Sequence, residues 1–110
     1  MSRSKNTNIT KNNRSAHSLS PGNMVLLRTA VHSWAGRVRR TLKIEGVAFV
    51  ELEAASWVAD TGRYHEALRD GLDKASLAEI EPAPVDGIVT VQIGAIGDIA
   101  PLPSLPREVR

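Results

Sequence analysis

The chain has 110 residues, 42% of them hydrophobic and 24% charged, with a formal net charge of +2 and no cysteine. That length holds one domain with a modest core, and the missing cysteines exclude a disulfide framework and a thiolate metal site. The small net charge hides a division: the first 44 residues carry nine basic side chains and no acid, while residues 45–110 carry twelve acids against five bases. A basic front on an acidic back points to an anion-seeking surface, to self-association, or to both. No run approaches the roughly 18 apolar residues of a membrane span, and nothing near Met1 has the apolar core of a signal peptide. The expectation is an intracellular chain that makes no membrane contact.

Residues 1–22 read as a basic, polar, flexible arm. Asn, Ser, Thr, Lys and Arg dominate it, and Ile9, Ala16 and Leu19 offer too little burial to offset the entropy of ordering. Pro21-Gly22 marks the boundary of a single domain over residues 23–100. Met24-Val25-Leu26-Leu27 is a compact apolar run of strand type. Residues 37–44 alternate, with Val38, Arg40, Leu42 and Ile44 on one side and Arg37, Arg39, Thr41 and Lys43 on the other. Glu45-Gly46 signals a turn, and residues 47–54 alternate again.

Two hairpin registers compete. A two-residue turn places Arg40 opposite Glu51 and Lys43 opposite Ala48. A three-residue turn with Gly46 left-handed in a bulge places Arg37 opposite Glu53 and Arg39 opposite Glu51. The second register gathers Val38, Leu42, Ala48, Val50 and Leu52 on one face, and that sorting of core from charge favours it.

Asp60-Thr61-Gly62 breaks the chain before a short helix. Asp60 or Thr61 is placed to cap it, Tyr64, Ala67 and Leu68 share a side, and Gly71 sits at the C-terminal cap position. Residues 77–81 alternate as a short strand ended by Pro82 and Pro84, and residues 87–93 form the best strand of the back half. Gly94 and Gly97 loosen the chain beyond residue 93. Pro101, Pro103 and Pro106 predict an extended, solvated tail over residues 101–110.

Catalytic groups are sparse. His17 lies in the arm. His32 and Ser33 are neighbours on a strand or turn, so their side chains diverge rather than form a base–nucleophile pair. His65-Glu66 lacks the second histidine of a zinc helix, and no phosphate loop or dinucleotide fingerprint occurs. The chain reads as no enzyme, with no metal and no cofactor.

Binding has more support. Arg28, Arg37 and Arg39 suit planar recognition of phosphate or carboxylate, and Trp34 between them offers a stacking face for a base. The competing account is that Arg37 and Arg39 only pair with Glu53 and Glu51 across the hairpin. Trp57 reads first as core sealing the helix against the sheet; the sharper alternative is a pocket wall of Trp57, Arg63 and Tyr64. The arm offers either a salt-dependent contact to nucleic acid or simply solubility.

The run Val25-Leu26-Leu27-Arg28-Thr29, then Val31-His32, Gly36, Gly46, Val50-x-Leu52 and Ala55-x-Trp57, resembles a family of short, mostly uncharacterised accessory proteins encoded by tailed bacteriophages and prophages. Thr61-Gly62-Arg63, Leu68, Gly71 and Glu79-Ile80-Glu81 extend the likeness over roughly residues 24–100. Ala30 and the long polar arm depart from the pattern, and no catalytic residue is carried over. The resemblance implies a small viral protein that acts by binding: occupying a host factor, sequestering a small signal molecule, or joining the particle.

These readings converge on an α+β domain, in which a small antiparallel sheet of about five strands, curling toward a barrel, carries one short helix. The expected function is non-enzymatic capture of an anionic, nucleotide-type host ligand in a counter-defence role in the host bacterial cytoplasm. Arg28, Trp34, Arg37, Arg39, Trp57, Arg63 and Tyr64 would form the site. The alternative is a structural or assembly protein of the virion, a homo-oligomer joining its basic front to its acidic back. A host protein is a further candidate partner.

Overall fold

A computed structural model of the chain describes residues 19–83, 87–107 and 109. The expectations for residues 1–18 of the arm lie outside these. Among the described residues, six strands and one α-helix follow in the order β1 (Met24–Thr29), β2 (Ser33–Ile44), β3 (Val47–Asp60), α1 (Tyr64–Asp70), β4 (Glu79–Pro82), β5 (Val89–Gln92) and β6 (Ile96–Pro101). Short 3-10 turns occupy Leu72–Lys74 and Ile93–Ala95. All pairings are antiparallel, with strand order β4-β3-β2-β1-β6 and β5 also on β3. This is the expected α+β architecture. The sheet does not close into a barrel.

The 14-residue β3 organises the sheet because its outer edge is long enough for two partners in series. Its first half, Phe49–Leu52, pairs with β5, and its second half, Ser56–Asp60, pairs with β4. The 3-10 turn after β5 then carries the chain across to β6, which pairs with β1 at the opposite edge. The sheet is thus buried on both faces, which explains why Met24–Leu27 is continuously apolar. Leu26 packs toward the helix, in a layer with Ala35, Val58, Ala67, Leu72, Ile80 and Leu102. Val25 and Leu27 point the other way, into a second layer with Val38, Val50, Leu52, Ala55 and Val91.

The hairpin turn differs from the expected bulged one. Glu45 and Gly46 both have positive φ (51° and 83°), and Ile44 faces Val47 across a two-residue turn. Such a turn matches the twist of the strands it joins, so the sheet adopts it. Arg40 accordingly faces Glu51 and Lys43 faces Ala48. The bulge lies further along, where Arg39 is the extra residue between Val38 and Arg40, and beyond it Arg37 faces Glu53. The single apolar face expected from Val38, Leu42, Ala48, Val50 and Leu52 is therefore divided. Val38, Val50 and Leu52 are buried together, whereas Leu42 pairs with Phe49 on the other side of the hairpin.

A second bulge at Ala54 (φ 50°) flips the alternation of β3. Ala55 stays with the layer of Val50 and Leu52, while Val58 joins the helix layer. Ser56, fully buried, has a hydroxyl oxygen with no hydrogen-bond partner among the described residues. Burying an unpaired hydroxyl costs about 1–3 kcal/mol. Ser56→Ala is therefore expected to leave stability unchanged or raise it by up to about 1 kcal/mol, read as thermal midpoint. A clear loss would mean that the hydroxyl has a partner.

The helix begins and ends near the expected points. Arg63 is its N-terminal cap residue and makes no side-chain cap bond, whereas Asp60 Oδ1 accepts the Gly62 N–H at 2.8 Å in the preceding turn. Gly71 closes it by donating to the Ala67 carbonyl at 2.9 Å. Glu66 Oε1 accepts the Ser76 N–H at 2.6 Å, and this bond lowers the Glu66 pKa.

The C-terminal segment departs most from expectation. Residues 96–101, read as loosened by glycine and ended by proline, form β6 because the edge of β1 offers them a full set of backbone partners. The predicted solvated tail packs instead: Leu102 is buried in the helix layer and donates its N–H to the Met24 carbonyl at 2.9 Å.

Candidate functional site

The seven residues expected to form one pocket are distributed over several places. Alternation is the reason. Trp34 faces Leu27 across β1–β2 and Arg28 faces Ser33, so Trp34 and Arg28 lie on opposite faces of the sheet. Arg37, three positions beyond Trp34, also lies on the face opposite to the indole.

Arg28 is held by β6 and the helix. Its Nη2 lies 2.6 Å from Asp98 Oδ2, its Nε 2.8 Å from Oδ1, and its guanidinium 4.3 Å from the centre of the Tyr64 ring. Hydrogen bonding between the partners raises the Arg28 pKa and lowers that of Asp98, against a smaller opposing effect of burial. Arg28 and Tyr64 are thus brought together, with a carboxylate already filling the anion position. Both partners are about half exposed, so the pair contributes no more than about 1 kcal/mol.

The hairpin arginines also have carboxylate partners. Arg37 reaches Glu53 at 3.4 Å, and Arg39 and Arg40 converge on Glu51 at 3.5 and 3.2 Å. The bulge explains why two guanidiniums share one carboxylate. Arg37 also borders a groove of about 560 Å³ with Lys74 and Arg107, where Asp70 and Asp73 offset part of the charge. Arg63 is exposed at the helix start. His65 is exposed on α1, its ring 5.6 Å from that of Tyr64.

Trp34, read from the sequence as a stacking face among the arginines, and Trp57, read first as core, lie side by side. They are register partners across β2 and β3, and Trp57 is in turn the partner of Glu81 on β4. Cross-strand partners share a face with Cβ atoms about 4.5–5.5 Å apart, so Trp34, Trp57 and Glu81 form a row across three strands. His32 stands edge-on to both indoles, with ring centres at 5.4 and 6.4 Å and interplanar angles of 82° and 68°. Together with Pro82, Ala83 and Val89 these side chains line an open groove of about 670 Å³. That volume lies within the range of small-molecule sites. Trp57 keeps 39% of its surface exposed, unusual for so large an aromatic.

The groove offers two aromatic faces, one imidazole and one carboxylate, and no arginine lines it among the described residues. Among the described residues Glu81 enters no ion pair. His32, Glu81, Pro82 and Val89 were not among the expected site residues. No group of three or more metal-ligating side chains occurs among the described residues, and no helix there is long and apolar enough to cross a membrane. Compared with protein-family models, with curated proteins and with solved structures, the chain gives no significant match.

Proposed function

We propose that the chain is a non-enzymatic binding protein that captures a nucleotide-type ligand by its base, in the groove of Trp34 and Trp57. The observation that carries this reading is the pairing of the chain's only two tryptophans on one open surface. Stacking of a base on an indole contributes about 1–3 kcal/mol and needs no cation in the groove. Arg28, Arg37, Arg39 and Arg40 already face carboxylates, so phosphate would gain from them only by displacing Asp98, Glu53 or Glu51. In the phage setting that the sequence resembles, such capture would withdraw a host signal molecule in the bacterial cytoplasm.

A second reading is assembly of virion type. Beyond Val38, β2 has a strand partner on one side only among the described residues, and Ile44 and Val47 at the hairpin tip are 50% and 40% exposed. This edge carries Arg39, Arg40 and Lys43, while the opposite edge strand β4 carries Glu79 and Glu81. A basic edge of one copy and an acidic edge of another are complementary.

Because both tryptophans line the groove, intrinsic fluorescence reports on it directly. Titration with nucleosides and mono-, di- and cyclic nucleotides is expected to quench this emission saturably in a discrete oligomer. Trp57→Ala should weaken binding about tenfold or more. No quenching by any of them, with a mass by light scattering that grows as salt falls, would shift the assignment to assembly.

A further inference from the structure

We infer that the groove selects its ligand by the exocyclic group on the ring edge, taking amino-bearing bases such as adenine and cytosine over their oxo counterparts. This rests on the capture reading above and adds a ligand class to it. A ring lying against the exposed face of Trp57 has three neighbours in the groove: its register partners Trp34 on β2 and Glu81 on β4, and His32, which stands edge-on to both indoles. The β4 side thus presents a carboxylate. Trp57 and Glu81 are direct cross-strand partners, which sets Glu81 one strand spacing, about 4.8 Å, from the indole backbone position. That offset suits contact with the rim of a stacked ring rather than with its face.

An ionised carboxylate only accepts hydrogen bonds. It matches the exocyclic amine of adenine or cytosine, as carboxylates do when they read cytosine N4. Against hypoxanthine or uracil the same position faces a carbonyl oxygen, and two acceptors repel; the neighbouring ring N–H meets the carboxylate only if the ring shifts from that position. Glu81 is exposed and, among the described residues, has no competing cation, so its lone pairs are open to a ligand. The stacking area is nearly the same within each pair of rings, so the difference in affinity isolates the edge contact.

The test is tryptophan fluorescence titration with two matched pairs, adenosine against inosine and cytidine against uridine. The wild-type chain is expected to prefer the amino member of each pair about tenfold or more. Glu81→Gln, whose amide both donates and accepts, should reduce the preference to within about threefold while its thermal midpoint stays at the wild-type value. Equal affinities within each pair on the wild-type chain would overturn the inference and leave base capture standing. Failure of all four nucleosides to quench would overturn both. A preference that survives Glu81→Gln unchanged would also overturn it, because the selectivity would then arise elsewhere.

Discussion

Gly62→Ala is expected to destabilise the fold by more than about 3 kcal/mol, among the largest effects of any single methyl group in this chain. Gly62 has φ of +69°, in the left-handed region where an L side chain costs about 1–2 kcal/mol. Steric collision costs more than this strain. A Cβ at this position would lie well inside contact distance of the Ser76 carbonyl oxygen and 2.9 Å from the Ala78 nitrogen, both backbone atoms that cannot rotate away. Gly46→Ala supplies the control: its φ is +83°, but nothing lies within 4 Å of the added atom, so it should lose only the conformational part. Urea unfolding of the two variants separates strain from collision, and equal losses would show that Ser76 yields to the methyl. The approach has a functional side. Gly62 clamps the entry of α1 against Ser76–Ala78, the segment that leads into β4, and β4 brings Glu81 to Trp57. Loosening that clamp should also weaken ligand quenching of the tryptophans.

The position of the groove was within reach of the sequence through the simpler hairpin. A two-residue turn at Glu45-Gly46, continued without interruption, sets Trp34 opposite Trp57. The folded chain keeps that pairing even though each strand bulges once, since the extra residue at Arg39 in β2 is cancelled by the one at Ala54 in β3. The bulged turn would instead put Ser56 opposite Trp34 and send the two indoles to separate walls. What favoured that turn was its sorting of core from charge on both strands, and of that pattern the structure achieves the match of Arg37 with Glu53 through the Arg39 bulge. Charge pairing between long side chains tolerates a one-residue slip, as Glu51 shows by accepting both Arg39 and Arg40. Apolar and aromatic partners do not, because each slip changes the face.

The helix and its stop at Gly71 were legible because local signals define them: a turn triplet, one apolar side, and a cap glycine. By contrast, β6 was not. Ile96–Pro101 contains Gly97, Asp98 and Pro101, and its strand form depends on the vacant edge of β1, far away in sequence. The ion pair between Arg28 and Asp98 spans the same gap, so no local pattern could show that the Arg28 guanidinium was engaged. Glu81 became visible as a groove residue only with the β3–β4 register, which shifts near Asp60.

Leu26→Ala should cost about 3–5 kcal/mol, the upper part of the range for buried leucine truncations. The reason is the composition of its surroundings. Leu26 is fully buried, and its register partners on β2 and β6 are Ala35 and Ala100. Ala67, Ala75 and Ala78 supply much of the same layer. Alanine has no rotamer with which to reach into a gap, so the cavity would remain largely open, and the cost of a truncation grows with the volume left behind. For a domain of this size the loss is a fifth or more of a typical total of about 5–15 kcal/mol. Leu42→Ala, on the half-exposed hairpin, should lose less than about 1.5 kcal/mol. Because Leu26 faces the helix layer and Trp34 and Trp57 belong to the other side of the sheet, the two properties should separate. Below its melting transition the Leu26→Ala variant is expected to bind with wild-type affinity by tryptophan quenching. A parallel fall in affinity and stability would mean that the two layers act as one cooperative core and that the groove depends on both.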